Sequence, residues 1–183
     1  MFLPIRRIKN HGTALGKLIL LLIGCVLCLY SPVCKTIGRY HSQSAGQVQE
    51  GDVGRIEITA IDVNLPIFSG VDEEVLGKGI GYMKESSPLG GGESTHCILA
   101  GHCGGVKADM FLRLKELKQG DEFVLYVEEC ELVYEVCHIQ VVLPTETEML
   151  KVQKGRDLVS LVTCTPYGIN THRLVVTGER KHE

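Results

Sequence analysis

The chain has 183 residues, a formal net charge of -3 and a hydrophobic content of 44%. A chain of this length is expected to form one domain with a core of ordinary size. Lys and Arg form no block large enough to cover a face, Trp is absent, and aromatic residues make up only 5% of the chain. The composition therefore predicts no nucleic-acid partner, because such a partner needs a basic surface or aromatic stacking groups.

The N-terminal part of the chain has the pattern of a membrane anchor. Residues 1–17 contain four Lys and Arg side chains, and residues 18–34 form an apolar stretch of low charge. That stretch is about as long as the shortest membrane-spanning helices, roughly 17 residues. Basic residues before it, and the lack of a small-x-small cleavage pattern after it, favour an uncleaved signal anchor. We therefore expect a cytoplasmic basic leader (1–17), a single transmembrane helix in the cell membrane (18–34) and an extracellular remainder.

Two other interpretations of this segment stay open. A secretory signal that is cleaved has the same order of basic and apolar residues. The quartet "LIGC", residues 22–25, also resembles a lipoprotein cleavage site, although the chain stays apolar after Cys25. Residues 35–53 are polar with few apolar side chains, so we expect them to form a tether ahead of a domain at 54–183.

Residues 54–183 show the alternation of apolar and polar side chains that is typical of β-strands. The stretch "GRIEITAIDVNLPIF" predicts two strands joined by a short turn, and "DEFVLYV" and "LVYEVCHIQVVL" predict two strands around an acidic hairpin turn, Glu128 to Glu131. Further strands are predicted at "GIGYM", "HCILAGH", "DLVSLVT" and "RLVVTGER". Eight short strands with minor helices indicate an all-β domain in the form of a closed or nearly closed eight-stranded β-barrel.

Three short helices are predicted between the strands. "DEEVL" is long enough for one helical turn at most, and "ADMFLRLKEL" has the spacing of a short amphipathic helix that ends near Gly120. "TETEML" is expected to form a short helix with Thr145 as its N-terminal cap and its carboxylates near the favoured helix N-terminus.

Three chemically active side chains fall at predicted strand ends. The strand "DLVSLVT" is expected to stop at Cys164, because Pro166 and Gly168 disfavour its continuation. His102 ends the strand "HCILAGH", and Arg173 opens the last strand across the loop from Cys164. A side chain at the rim of a barrel can reach an external substrate, whereas one in the middle of a strand usually cannot. These three residues are the candidate catalytic group.

A thiol, an imidazole and a guanidinium together suit acyl transfer through a thioester. A Cys thiol with a pKa of about 8.5 is only a few per cent thiolate at neutral pH, and nearby positive charge raises that fraction. Histidine can give a proton to the departing amine, and arginine can donate hydrogen bonds to the developing oxyanion. Each residue alone is more often structural, as a core cysteine, a loop histidine or a solvated arginine.

The other cysteines give weaker signals. The domain has five cysteines, an odd number, so at least one thiol stays free, and their spacing gives little support for disulfides. Most of them are expected to be small buried apolar side chains.

A zinc-binding extracellular module without catalytic activity is the alternative from another class. It would use His96, Cys97, His102 and Cys103 in "HCILAGHC", which are metal-ligand residue types. Their spacing is poor for one metal ion, because Cys97 and His102 lie on opposite faces of the predicted strand. We therefore expect no metal and no cofactor.

The segment "LVTCTPYGINTHRL" resembles the catalytic segment of the sortases, whose signature is Thr-Leu-x-Thr-Cys followed, after a loop, by a strand carrying an Arg. Here Ser160 replaces the leading Thr of that signature. "TCTPYGINTHRL" looks most like the pilus-building class C sortases, and "ILAGHCG" fits the family's His-bearing strand end. The resemblance covers roughly residues 54 to 180, and it implies the sortase-type β-barrel.

The resemblance implies a membrane-anchored cysteine transpeptidase. Such enzymes cut an LPxTG-like sorting signal between Thr and Gly, hold the Thr carbonyl as a thioester, and release it to an amine. Carried onto this chain, Cys164 is the nucleophile, His102 the general acid and base, and Arg173 the donor to the oxyanion or the substrate. The implied partners are pilins or surface proteins with an LPxTG-like C-terminal signal, and an acceptor amine from a pilin lysine or a cell-wall peptide.

His102 is preferred over three other histidines for the acid–base role. His172 is adjacent to Arg173 in sequence, but strand alternation points it to the opposite face. His96 and His138 are the other two histidines that we set aside in favour of His102.

One departure from the class C pattern concerns the lid. Class C sortases commonly carry a segment before the barrel with an Asp-Pro-aromatic triplet that plugs the active site, whereas residues 35–53 contain no proline and no such triplet. The sequence therefore predicts a lidless enzyme with an open groove. The departure weakens the inference of pilus polymerisation, so anchoring of proteins to the cell wall by a sortase of another class stays open as the alternative.

Overall fold

The structure of the protein is a computed structural model, and it describes residues 51–104 and 110–181. The predicted basic leader, the transmembrane helix and the tether up to residue 50 lie outside the described residues. So does most of the stretch 35–53, for which the sequence predicts that no lid is present. Within the two described ranges, no helix is both long and apolar enough to span a bilayer. The first strand begins at Asp52, slightly before the predicted start of the domain.

Eight strands and one short α-helix make up about half of the described part of the chain. In chain order they are β1 (Asp52–Ile58), β2 (Val63–Ser69), α1 (Glu73–Leu76), β3 (Ile80–Tyr82), β4 (Thr95–Ala100), β5 (Glu122–Val127), β6 (Cys130–Val142), β7 (Asp157–Thr165) and β8 (His172–Arg180). The strands close into a barrel in the order β1-β2-β3-β4-β7-β8-β6-β5, with β5 pairing back onto β1. The β2–β3 and β4–β7 pairs are parallel, and the others are antiparallel. The predicted all-β, closed eight-stranded barrel is confirmed.

Alternation along the strands separates a core face from an outer face. Val159 and Leu161 of β7 point into the core, where they meet Cys97 and Leu99 of β4. Burying an apolar side chain of this size contributes about 1.5–3 kcal/mol. A one-residue slip of β7 would carry the whole row to the outer face, so the register of this strand is strongly fixed.

The prediction of an amphipathic helix at "ADMFLRLKEL" is wrong. Over its described residues the stretch forms only turns and a 3-10 turn, Leu114–Glu116. The apolar side chains that suggested a helix, Met110, Phe111, Leu114 and Leu117, are all buried in the core from this irregular backbone. Tertiary packing therefore satisfies the helical spacing without an α-helix.

The predicted short helix "TETEML" is a 3-10 turn, Glu148–Leu150, and Thr145 does not cap it. The residue at the N-cap position is Thr147, which makes no side-chain capping bond. The nearby carboxylate of Glu146 instead accepts a hydrogen bond from the backbone amide of Leu143, at 2.8 Å. The polar side chains in this connection thus stabilise turns of the backbone.

The β5–β6 hairpin has a tighter turn than the sequence predicted. Val127 pairs with Cys130, so only Glu128 and Glu129 form the turn, and Glu131 already belongs to β6. Glu128 adopts a positive φ of 53°. Two-residue hairpin turns require positive φ because their twist then matches that of the flanking strands.

A buried carboxylate connects the start of β7 to the loop before β4. Asp157 is 8% exposed. Its Oδ1 accepts hydrogen bonds from Tyr134 Oη (3.1 Å) and Thr95 Oγ1 (3.2 Å), and its Oδ2 accepts one from the Gly92 amide (2.9 Å). Burial raises the pKa of the Tyr134 phenol, and the nearby Asp157 raises it further, so the phenol stays protonated as a donor. These donors offset the cost of burying the carboxylate.

We expect Tyr134→Phe to lower the free energy of unfolding by about 1.5–3 kcal/mol, because the buried carboxylate loses one of its donors. The substitution keeps the aromatic ring, which stacks on Phe123 with ring centroids 5.5 Å apart. Urea denaturation of the folded domain measures the change. Tyr167→Phe is the matched control: Tyr167 is 63% exposed, so its change should stay within about 0.5 kcal/mol. Equal stability of the two variants would contradict the role assigned to Asp157.

Candidate active site

The three candidate catalytic residues lie at one end of neighbouring strands. β7 lies between β4, which is parallel to it, and β8, which is antiparallel. The C-terminal ends of β4 and β7 therefore lie at the same edge of the barrel, and β8 begins at that edge. Cys164 is near the end of β7, His102 follows β4, and Arg173 is near the start of β8. The strand pairing brings these residues, distant in sequence, to one rim.

Cys164 and Arg173 are direct partners in the β7–β8 ladder. Residues directly opposite each other in antiparallel strands share a face, with Cβ atoms roughly 4.5–5.5 Å apart. The Cys164 thiol is free, and the residue is half-buried. Nη1 of Arg173 donates hydrogen bonds to the backbone carbonyls of Asn170 (3.1 Å) and His172 (2.9 Å). A guanidinium has five N–H donors, and the contacts of the described residues engage only those of Nη1.

The alignment of β4 with β7 continues past the last residue of β4. Ala100 pairs with Val162, and the next amide, that of Gly101, donates to the Val162 carbonyl at 3.1 Å. Two residues beyond Ala100, the chain reaches His102, and two residues beyond Val162 it reaches Cys164. His102 therefore follows β4 at the rim where β7 carries Cys164, on the side of β7 away from Arg173.

Gly101 fixes the backbone that leads to His102. A Cβ at this position would lie 2.7 Å from the ring of Phe111 and 2.8 Å from the side chain of Ile80, so only glycine fits against them. The hydroxyl of Thr163, which is 3% exposed, donates to the Gly101 carbonyl at 2.7 Å. Packing on one side and a buried hydrogen bond on the other hold this part of the chain in place.

His102 also contacts α1. Its Nε2 lies 3.6 Å from Oε1 of Glu73, the first residue of that helix. The Glu73 side chain is 91% exposed and that of His102 is 36% exposed, so water screens this contact and it adds little stability. The His102 carbonyl accepts a hydrogen bond from the Phe111 amide at 3.0 Å. The imidazole is thus positioned through its backbone and remains accessible to a substrate.

A second thiol, Cys103, lies next to the candidate site. Burial raises the pKa of the Cys103 thiol, and the nearby Cys164 raises it further. Burial raises the pKa of Cys97, in the core, to about 12. Both therefore stay protonated at neutral pH and are poor nucleophiles.

All five cysteines within the described ranges are free. The expectation that most of them are buried is wrong, because only Cys97 is buried and Cys130 is exposed.

The other histidines lie away from the thiol or face elsewhere. Nδ1 of His172 shares a hydrogen bond with Thr171 Oγ1 at 2.9 Å, and His138 is exposed on β6. His96 is buried, at 1% exposure. Over residues 51–104 and 110–181, no three His, Cys, Asp or Glu side chains lie close enough together to hold a metal ion. The geometry therefore gives no support to the alternative of a zinc module.

An open cavity of about 360 Å³ lies on the outer face of β4. Ile98 of β4, Met83 of the β3–β4 loop, and Leu150 and Val152 of the β6–β7 connection form its apolar part. The rest of the lining is polar: Glu85, Ser86, Ser87, His96 and Lys151. Ile98 pairs with Ser160, four residues before Cys164, which corresponds to roughly 13 Å along an extended strand. The cavity thus lies on the same outer face as the thiol, a few residues' length away from it.

This arrangement can support attack of a thiol on a peptide carbonyl. The imidazole can move a proton, the guanidinium can donate to an oxyanion, and the cavity can accept an apolar side chain of the bound peptide. Sequence reasoning identified the three rim residues but missed Glu73 and the cavity. Glu73 and most of the residues that line the cavity lie between the strands, in positions that depend on closure of the barrel. No local sequence pattern marks them.

Comparison with known proteins identifies the family. The sortase domain family model matches residues 56–181. Sortase A of Bacillus anthracis is 33% identical over 127 residues, which are 69% of this chain and 59% of that protein. Sortase D of Bacillus subtilis (strain 168) is 31% identical over 130 residues, 69% of this chain and 63% of that protein. The chain thus spans about three-fifths of the length of these curated relatives.

Solved structures of class C sortases share the barrel. Sortase C-1 from Actinomyces oris has 48% identity and a TM-score of 0.72, covering 73% of this chain and 74% of that one. Streptococcus pneumoniae sortase C has 36% identity and a TM-score of 0.72, covering 78% and 77%. Sortase C1 from Streptococcus suis has 43% identity and a TM-score of 0.71, covering 72% and 74%. The resemblance to class C sortases is therefore confirmed, and the chain belongs to the sortase family.

Proposed function

We propose that this chain is a membrane-anchored cysteine transpeptidase that cleaves an LPxTG-like sorting signal and transfers the acyl group to a lysine amine of a pilin. The observation that supports the proposal is the strand pairing, in which Arg173 is the direct partner of Cys164 on β8 and His102 follows β4 on the other side of β7. Membership in the sortase family, whose members are cysteine transpeptidases, supports the reaction. The basic and apolar pattern of residues 1–34 supports the membrane anchor, with the barrel outside the cell.

The first half of the reaction forms a thioester. The Cys164 sulfur attacks the carbonyl carbon of the Thr in the sorting signal, and the carbonyl electrons move to the oxygen, which accepts hydrogen bonds from Arg173. The bond from carbon to the Gly nitrogen then breaks, and His102 gives its proton to that nitrogen. The C-terminal fragment leaves with a new amine, and the Thr acyl group stays on sulfur.

The second half passes the acyl group to the acceptor. The acceptor amine attacks the thioester carbon while His102 removes a proton from its nitrogen. The carbon–sulfur bond breaks, and the electrons return to the Cys164 sulfur. One amide bond replaces another, so the cycle requires no oxidant and no external energy source.

The cavity on the outer face of β4 supports a peptide substrate with an apolar side chain. An extended peptide advances about 3.3 Å per residue, so the residue three positions before the scissile carbonyl lies roughly 10 Å from the thiol. A long apolar side chain at that position can reach the cavity over Ile98. This is the position of the Leu in an LPxT sequence, which is consistent with the proposed sorting signal.

The most specific part of the proposal is the identity of the amine that accepts the acyl group. Identities of 36–48% to solved class C sortases favour a pilin lysine, and the Streptococcus pneumoniae enzyme among them is described in terms of pilin substrate specificity. The curated relatives are instead named sortase A and sortase D. Those names favour the second candidate, in which a cell-wall peptide supplies the amine and the product is an anchored surface protein.

We expect Cys164→Ala to abolish cleavage of an LPxTG peptide while the melting temperature of the domain stays nearly unchanged, because the residue is only half-buried. Mass spectrometry of the wild-type enzyme with the peptide should show a thioester adduct on Cys164. Cys103→Ala is the matched control, since its thiol stays protonated, and it should retain the adduct. Cleavage by Cys164→Ala would overturn the nucleophile assignment.

We expect Arg173→Lys to lower kcat by about 10²–10³, a range typical of losing an oxyanion donor. Lysine keeps the charge but lacks the planar set of donors. The decrease in kcat should therefore be larger than it would be if Arg173 acted through its charge alone. Steady-state kinetics with the LPxTG peptide measures the change. Wild-type kcat in this variant would show that the charge alone is sufficient.

A competition experiment separates the two acceptors. The full-length enzyme is incubated with the sorting peptide, a pilin that carries lysines and a short cell-wall peptide that carries a primary amine. We expect mass spectrometry of the products to show a linkage to a pilin lysine side chain in excess over the cell-wall product. Exclusive formation of the cell-wall product would replace the pilin proposal with the anchoring one.

A further inference from the structure

His96 is a buried histidine that the proposed reaction does not use. It is 1% exposed and lies on β4 opposite Leu158 of β7, six residues before Cys164. Six residues of extended strand correspond to roughly 20 Å, so His96 cannot exchange a proton with the reacting atoms. Its place is at the base of the cavity on the outer face of β4.

Both ring nitrogens of His96 have polar partners. Nδ1 lies 3.0 Å from the backbone carbonyl of Lys151, and Nε2 lies 2.8 Å from Ser160 Oγ. A carbonyl only accepts, so Nδ1 carries the proton and donates it to Lys151. In the neutral ring Nε2 then accepts from the Ser160 hydroxyl, whose oxygen in turn accepts from Thr177 Oγ1 at 2.8 Å. This chain of hydrogen bonds crosses β4, β7 and β8 on the outer face.

The surroundings favour this neutral ring. Burial lowers the pKa of His96, and the charge of Arg156 lowers it as well, against the opposing effect of the Lys151 carbonyl. Ser160 is fully buried and Thr177 is 7% exposed, so the part of the network that runs from His96 through Ser160 to Thr177 is shielded from water. A fully paired network of buried polar groups is rigid and specifies one arrangement.

The tethered carbonyl lies in the wall of the cavity. Leu150 and Val152, which flank Lys151, both line the cavity opposite Met83. Val152 is 55% exposed, so its backbone is not held by burial of its own side chain. The hydrogen bond from His96 to Lys151 connects this wall directly to β4, while the bonds of Gly155 to Ser94 and of Thr95 to Arg156 hold the connection farther along the chain.

We propose that His96 is a positioning residue for substrate binding, which holds the β6–β7 connection at Lys151 so that the cavity keeps the width that fits the apolar side chain of the sorting peptide. This inference rests on the proposed function for its substrate. It assigns to His96 an effect on peptide affinity and none on the chemistry at Cys164. Loss of the tether should raise KM and leave kcat nearly constant.

Two substitutions each keep one of the two hydrogen bonds of the His96 ring and remove the other. His96→Gln places an amide near the position of Nε2, so it can keep the Ser160 contact but loses the tether to Lys151. His96→Asn places an amide nitrogen near the position of Nδ1, so it can keep the tether but loses Ser160. We expect His96→Gln to raise KM for the LPxTG peptide about five- to tenfold, the effect of one lost hydrogen bond, and His96→Asn to raise it clearly less. The rate of Cys164 alkylation by iodoacetamide should be the same in both.

Amide hydrogen exchange of the β6–β7 connection tests the tether without reference to activity. Exchange at residues 148–153 should be faster in His96→Gln than in His96→Asn, while His138→Gln, the same change at an exposed histidine, should match the wild type. Equal KM values and equal exchange in the Gln and Asn variants would overturn the inference, because a merely structural role would affect both alike. Absence of peptide cleavage by the wild type would refute the proposed function, and the exchange measurement would still decide whether the tether exists.

Discussion

The hydrogen bonding of β7 to a parallel neighbour on one side and an antiparallel neighbour on the other determines which residues meet at the rim. Parallel strands end at the same edge of a sheet, while an antiparallel partner begins where its neighbour ends. A strand end, a residue just past a strand end and a residue at a strand start therefore converge there. These are Cys164, His102 and Arg173. A shift of β7 by one residue against either neighbour would turn the thiol into the core.

The position of the thiol at the end of β7 follows from how the rest of that strand is buried. Residues 157–161 are all buried, although alternate side chains point in opposite directions. On the core side Val159 and Leu161 pack in the barrel, and on the outer side Ser160 bonds to His96 and Thr177. On the outer face, exposure rises only from Val162 onward, and Thr163 on the other face stays buried. A nucleophile placed earlier in the strand would be buried on either face, so the rim is the part of β7 where a substrate can reach sulfur.

The sequence was informative where a feature depends on neighbours in the chain. Alternation within each strand predicted all eight strands and the closed barrel, and Pro166 marked the end of β7 near Cys164. Failures came where distant contacts decide. The spacing of Phe111 and Leu114 suits an amphipathic helix, yet the core accepts both side chains from a 3-10 turn and its flanking turns.

Parallel pairing of β4 with β7 joins segments about 60 residues apart through a long connection, and such non-local pairing leaves no periodic signal. The cavity depends on that pairing, because Met83 and Val152 meet only when the barrel has closed. The contact of Glu73 with His102 likewise forms only when the barrel has closed. The candidate residues were thus predictable from strand ends and a family motif, and the cavity beside them was not.

The orientation of Arg173 depends on the loop that precedes it as much as on β8. Its guanidinium binds the carbonyl of Asn170, and the amide of Asn170 in turn donates to the Pro166 carbonyl at 2.9 Å, which closes the loop on itself. The ring of Tyr167 in this loop lies against Gly104, where an added Cβ would be 2.8 Å from Cε2. Gly104 follows shortly after His102, so the loop that holds the guanidinium packs on the loop that holds the imidazole. The two loops that lead to these groups therefore contact each other outside the sheet. Strand pairing sets which residues lie on either side of Cys164, and the packing of Tyr167 on Gly104 adds a contact between the loops that carry them.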